Sequence, residues 1–241
     1  MCDYWDSWGG NIQSLNDFST LMRILALTDI HGAYETARRI VDLEQGCDVL
    51  VIGGDLTTFG TPQEAAAAID GFLAFEKPVL VVAGNMDPPG LEETFVDLGV
   101  SLNGKGRVLG KTGFFGVSAA PISPLNTPYE ISEAEIARLA EEGWHDVELA
   151  QRKVFVPHAP PFQTSTDRLS SGKHVGSTAV RAFIDLRQPD VVICGHIHEA
   201  RGTEALGKSR IVNCGKGGSG FYSVIDIKED VTIECRQYKG K

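Results

Sequence analysis

The chain has 241 residues, 42% of them hydrophobic and 22% charged, with a formal net charge of -10. That is the profile of a globular protein large enough to bury a core without disulfide staples. So acidic a balance argues against tight non-specific binding to duplex nucleic acid or to an anionic membrane, but it does not exclude a small anionic ligand, because bound metal ions reverse the charge of a site locally.

The first 21 residues are polar and aperiodic, with Tyr4, Trp5 and Trp8 close together, and predict an N-terminal extension ahead of a domain spanning 22–241. Arg23 to Thr28 is an apolar strand, and Glu35 to Glu44 has the apolar face of a helix. Cys47 to Ile52 and Pro78 to Ala83 are two further continuous apolar strands, separated by a helix from Pro62 to Phe75. Asp87-Pro88 has the form of an N-cap and first-turn proline opening a helix to Leu98. Gly99 to Ser118 carries turn signals at Asn103-Gly104 and Thr112-Gly113, which predict antiparallel strands. A helix is expected from Ser132 to Gln151, a strand at Lys153 to Val156, a helix at Ser177 to Arg187 and a strand at Asp190 to Cys194. The remainder is strand only: Arg210 to Asn213, Phe221 to Ile227 and Val231 to Tyr238. Continuous apolar strands early and hairpins late predict two sheets packed together with helices outside.

Five cysteines without C-x-x-C spacing, three of them in or beside apolar runs, fit reduced thiols in a cytoplasmic protein. No stretch has the length of a membrane span or the layout of a signal peptide.

The chemistry sits at strand ends. Asp29-Ile30-His31 follows the first strand, Gly53-Gly54-Asp55 the second and Gly84-Asn85-Met86-Asp87 the third. His158 follows the strand ending at Val156, and Gly195-His196-Ile197-His198 the one ending at Cys194. Loops at the carboxyl edge of parallel strands are where ligand sites form in α/β proteins. Imidazole with carboxylate suits divalent first-row transition metals. Gly215 to Gly220 matches G-x-G-x-x-G but lies between two strands with no helix after it, which predicts a turn near the rim rather than a dinucleotide site.

The ordered set D-x-H, G-G-D, G-N-x-D, lone His and G-H-x-H resembles the calcineurin-like metallophosphoesterase family, and His158-Ala159-Pro160-Pro161 with Lys173 to Ser177 resembles its small prokaryotic members. The resemblance implies a four-layer α/β/β/α sandwich of two mixed sheets flanked by helices. It implies two divalent metal ions, with manganese, iron, zinc and nickel all chemically suited. Asp29, His31 and His198 would hold one, Asn85, His158 and His196 the other, and Asp55 would bridge them. It also implies a phosphoesterase in which a hydroxide activated by the two metals attacks a small phosphate ester. Asp55 and Asn85 would then serve catalysis as well as metal binding.

One position departs from the pattern. The family motif reads G-N-H-[DE], and here Met86 stands where that histidine would act. A thioether neither gives a proton nor donates a hydrogen bond. Diesters and good leaving groups are therefore the expected substrates, and His174, in the polar loop Ser170 to His174, is the candidate substitute donor or phosphate contact. The alternatives are a protein-interaction scaffold on the same fold, which Met86 keeps open, and a nuclease, against which the acidic balance counts. Oligomeric state and natural substrate are not legible in the chain.

Overall fold

The strands of this protein alternate their side chains between two different hydrophobic layers, and that alternation builds the fold. The computed structural model describes residues 22–240; the expected extension over residues 1–21 lies outside them. In chain order the first elements are β1 (Met22–Leu27), α1 (Tyr34–Leu43), β2 (Val49–Gly53), α2 (Pro62–Leu73), β3 (Val79–Val82) and α3 (Leu91–Asp97). Then follow β4 (Gly106–Leu109), β5 (Thr112–Val117), β6 (Ala120–Pro121), β7 (Glu130–Ile131), α4 (Glu133–Asp146), β8 (Arg152–Pro157) and α5 (Thr178–Arg187). The chain closes with β9 (Val191–Cys194), β10 (Gly202–Leu206), β11 (Ser209–Asn213), β12 (Phe221–Ile227) and β13 (Val231–Gln237).

One large sheet runs β13-β12-β1-β2-β3 and a second β10-β11-β9-β8-β5-β4, while β6 and β7 pair as a short two-stranded ladder. β1, β2 and β3 are parallel, as are β5, β8, β9 and β11, while the outer strands pair antiparallel. Ile24, Ala26, Val49, Val51, Leu80 and Val82 point between the sheets and meet Phe114, Val154, Val156, Val191, Ile193 and Val212. The alternate residues Leu25, Leu27, Leu50, Ile52, Val79 and Val81 pack under α1, α2 and α3. On the far side Phe115, Phe155, Val192 and Ile211 pack under α4 and α5 with Trp144, Phe183 and Ile184. A strand with apolar groups on both faces is stable only when both faces are covered. The result is the expected four-layer α/β/β/α sandwich, with the carboxyl ends of the parallel strands gathered at one rim.

Local chemistry sets the helix starts. Thr61 Oγ1 accepts the Glu64 N–H at α2, Ser132 Oγ the Glu135 N–H at α4, and Ser177 Oγ the Val180 N–H at α5. The pattern misplaces a few boundaries. α3 starts at Leu91 after Gly90, with no side-chain cap, because Asp87 is used elsewhere. Thr112-Gly113 lies inside β5, and the hairpin turns at Gly110 with φ 59°. α4 stops at Asp146, short of Gln151. β10, a polar edge strand, was not expected from the sequence. No helix among the described residues is long and apolar enough to cross a membrane.

Candidate metal centre

Four of the residues at the rim hold backbone conformations that side chains rarely adopt. Asp29, His31, Asp55 and His196 have φ of 54°, 50°, 51° and 64°. Non-glycine residues there carry strain and persist only where the surroundings impose them. Here adjacent loops impose them. Asp29 N–H donates to Gly54 O at 2.9 Å and His31 N–H to Asp55 O at 2.9 Å, so the turn after β1 is zipped to the turn after β2. Gly217 N–H and Gly218 N–H donate to Thr28 O and Asp29 O, so the glycine-rich turn after β11 braces the same loop from the other side. The motif glycines allow close approach. A Cβ on Gly195 would lie 2.2 Å from Asp29 Oδ2, and one on Gly84 2.0 Å from Asp55 Oδ1.

The side chains converge as two groups sharing a wall. Asp29 Oδ1 lies 3.1 Å from His198 Nε2, and His198 Nε2 lies 3.4 Å from His31 Nε2. Asn85 Oδ1 lies 2.8 Å from His196 Nδ1 and 3.1 Å from His158 Nε2. Between them, Asp55 Oδ2 is 3.6 Å from both His31 Nε2 and His158 Nε2. Candidate ligand atoms of Asp29, His31 and His198 lie within 4.8 Å of one another, as do those of Asp29, Asp55 and His158. All seven residues expected as ligands therefore meet at one rim. Asp29 approaches the second group as well as the first, closer to the shared wall than the expected division implied.

The donor set fits cations. His158 is fully buried and its Nδ1 sits 2.9 Å from Gly53 O, which takes the ring N–H. In the neutral ring Nε2 then carries a lone pair, and that lone pair faces Asn85 Oδ1 and Asp55 Oδ2, both acceptors. His31 Nδ1 is likewise 2.9 Å from Thr58 Oγ1 while its Nε2 meets another imidazole nitrogen. Outer partners of this kind fix the tautomer of metal-binding histidines. Acceptors aimed at acceptors are relieved by a positive ion among them.

The protonation balance shows the same conflict. Burial pushes the Asp55 carboxyl up to about 7, with the charges of Asp29 and Asp87 adding to it against the pull of His158. Burial drives His196 down to about 3, helped by His158. At His158 burial acts downward but the charges of Asp55 and Asp29 outweigh it and hold the ring above its usual value. At Asp29 burial acts upward and is outweighed by the His198 hydrogen bond and the His158 charge, leaving the carboxyl below its usual value.

Two residues do work the sequence did not disclose. Asp87 is fully buried and accepts from Gly84 N, Leu56 N, Thr57 N and Thr57 Oγ1, locking the Asn85 loop to the Asp55 loop instead of capping α3. Asn213, also buried, donates through Nδ2 to Thr166 O, Gly195 O and Ile197 O and accepts from Gly215 N, so it ties the His196 loop to two neighbours. Met86 sits half-buried beside the centre, its N–H donating to Asp55 Oδ1 at 2.8 Å. His174 stands apart from the seven. Its Nδ1 is 2.5 Å from Oδ1 of the fully buried Asp167, and it contacts Phe162.

Known proteins are similar to this chain in sequence or in fold. A family model described as calcineurin-like phosphoesterase matches residues 22–200. Protein MJ1162 of Methanocaldococcus jannaschii is 30% identical over 216 residues, covering 88% of this chain and 95% of its own. TT1561 of Thermus thermophilus superposes with a TM-score of 0.73 at 19% identity, over 90% of this chain and 99% of that one. A dimetal phosphatase from Danio rerio superposes at 0.60 with 11% identity, over 90% and 96%. These two likenesses speak for the fold alone, but the family match spans every loop that brings a candidate ligand to the rim, from Asp29 to His198, and the chain belongs to the calcineurin-like phosphoesterases.

Proposed function

We propose that this protein hydrolyses small phosphate esters, diesters in preference to monoesters, at a centre of two divalent metal ions. The observation that carries the proposal is the meeting of Asn85 Oδ1 with His158 Nε2 and His196 Nδ1 on one side of Asp55, and of Asp29 with His31 and His198 on the other. When bound, divalent cations supply charge for the developing phosphoryl oxyanions and acidify water, as in other two-metal hydrolases. Asp29, His31 and His198 would hold one ion and Asn85, His158 and His196 the other, with Asp55 between them. A carboxylate that burial and like charges hold near neutrality when metal-free becomes a strong ligand once cations flank it.

The chain's own groups set the rest. Hydrolysis forms a new bond from phosphorus to the oxygen of water, breaks the ester P–O bond and returns a proton to the departing oxygen. Asn85 orients the phosphoryl group through its amide. Met86 offers no proton to the leaving oxygen. His174 is the proposed donor: with Nδ1 fixed by Asp167, its Nε2 is the atom left to face substrate. A diester of an acidic alcohol needs that proton least, which is the basis of the preference. Cys47, Cys194 and Cys214 are free and buried, which supports a reducing, cytoplasmic setting.

The test is hydrolysis of bis-p-nitrophenyl phosphate and of p-nitrophenyl phosphate with manganese, iron, zinc or nickel added to metal-free protein. Turnover that depends on metal and is faster on the diester is expected. No turnover with any of the metals would favour the scaffold alternative instead.

A further inference from the structure

Beside the metal centre lies an open cleft of about 580 Å³, lined by Thr164, Arg168, His174, Glu199, Arg201 and Thr203 among others. Its volume is that of a small-molecule site. Two features join it to the chemistry. Glu199 directly follows the ligand His198 and accepts a hydrogen bond from Ser170 N across the cleft. Asn213 holds Thr166 O and the carbonyls of Gly195 and Ile197 with one amide, so cleft wall and metal loop share an anchor.

The wall that carries Arg168 is built rigidly. Residues 167–175 form a tight hairpin: Leu169 N donates to Lys173 O, Val175 N to Asp167 O, and Arg168 pairs across from His174. Asp167 sits beneath with no exposure, accepting from Gln163 N, Thr164 N, Gly176 N and His174. Arg201 is turned away from a ligand: its guanidinium donates to Arg236 O, lies 4.5 Å over the Phe221 ring and keeps its Nε buried without a partner. The Glu199 carboxylate is spent on Ser170 N. Among the described residues Arg168 has no hydrogen bond or ion pair for its guanidinium, which is exposed on the cleft wall next to His174. A planar fork held on a hairpin is suited to a carboxylate or a phosphate.

We infer that this cleft receives the organic group of the phosphoester and that Arg168 selects substrates carrying a second anionic group, a carboxylate or a phosphate, remote from the scissile one. The inference rests on the phosphoesterase proposal for the neighbouring centre. In sequence along the site, the scissile phosphate lies at the metal ligands, the leaving oxygen at His174 and the remote anion at Arg168.

The test compares phenyl phosphate, 4-carboxyphenyl phosphate and 1,4-phenylene bisphosphate on metal-loaded wild-type protein and on R168Q and R168K. The readout is the ratio of KM values within each protein, so a general loss of activity cancels. The wild type should show a KM about tenfold lower for esters with the remote anion. R168Q should bring the ratio to one and R168K should keep part of it. The carboxylate and bisphosphate arms report which anion is preferred. A ratio of one in the wild type, or a ratio that survives in R168Q, overturns the inference. If the wild type hydrolyses none of these monoesters, the diester assay above decides the phosphoesterase proposal separately, and calorimetric titration with 4-phosphonobenzoate against phenylphosphonate reads the cleft directly. Equal affinities of those two would overturn the inference, and tighter 4-phosphonobenzoate binding lost in R168Q would support it.

Discussion

His31 and His198 face each other through their Nε2 atoms at 3.4 Å, with Asp29 Oδ1 3.1 Å from the second ring. Two imidazoles nose to nose beside a buried carboxylate form a weak hydrogen-bonding arrangement and a good set of metal ligands. The rim is suited to cations more than to its own hydrogen bonding.

Asp55→Asn separates folding from metal binding. Asp55 lies buried with Asp29 and Asp87 adding negative charge around it. Removing its charge should raise the thermal midpoint of metal-free protein by about 2–4 °C. The same change should erase most of the stabilisation that added manganese gives the wild type, and abolish ester hydrolysis. Thermal melts with and without chelator check both signs, and a midpoint that falls in chelator would contradict the electrostatic account.

Met86→His tests what the thioether costs. Met86 N donates to Asp55 Oδ1, so the position borders the centre. General acid help is typically worth 10²–10⁴-fold. The substitution should raise kcat on alkyl esters by about tenfold or more and change p-nitrophenyl esters little. A leaving-group series is the measurement, and an unchanged slope would contradict the role given to this position.

The sequence disclosed the side chains that gather at the rim because each follows an apolar strand, and parallel strands end together. It did not disclose Asp87, since Asp-Pro before a helix is also the ordinary N-cap pattern. The claim of Leu56 N, Thr57 N and Gly84 N on the carboxylate is tertiary and leaves no local mark. Asn213 was invisible for a related reason: one asparagine at a strand end carries no period, and its three carbonyl partners lie 16 to 47 residues away. Asp167 and His174 are seven apart and meet only because a tight hairpin folds them together. The Thr112-Gly113 signal misled because that glycine sits inside β5, where a Cβ would be 2.5 Å from Val147 Cβ. The space left by α4, not a turn, calls for it.

Asn213→Ala should weaken metal binding without touching a ligand. The change orphans Gly195 O and Ile197 O on either side of His196. Loss of outer partners typically costs 10–100-fold in metal affinity. Competition against a coloured chelator would show it. Unchanged affinity alongside a lowered melting point would assign the residue to folding alone.

Glu130 supplies an acid-dependent clamp on the segment next to Asn85. Tyr129 N donates to Asn85 O, and Glu130 accepts from Ser123 and Thr127 backbone and hydroxyl groups. Burial acts upward on its carboxyl, but those hydrogen bonds outweigh it and hold the group down at about 2, against 4.5 unperturbed. A depressed carboxyl stabilises the fold above its unfolded value and loses that contribution as pH falls towards the folded one. Glu130→Gln should therefore melt lower than wild type near pH 7 by about 2–4 °C. The gap should shrink below pH 4.5 and vanish near pH 2. A gap constant with pH would contradict the clamp.

The central claim is that these loops gather around a pair of cations, and anomalous diffraction at a manganese-loaded crystal tests it most directly. The account predicts two peaks on either side of Asp55, one within coordination reach of Asp29, His31 and His198 and the other of Asn85, His158 and His196. A single peak, or none at this rim while manganese occupies another part of the molecule, would contradict it.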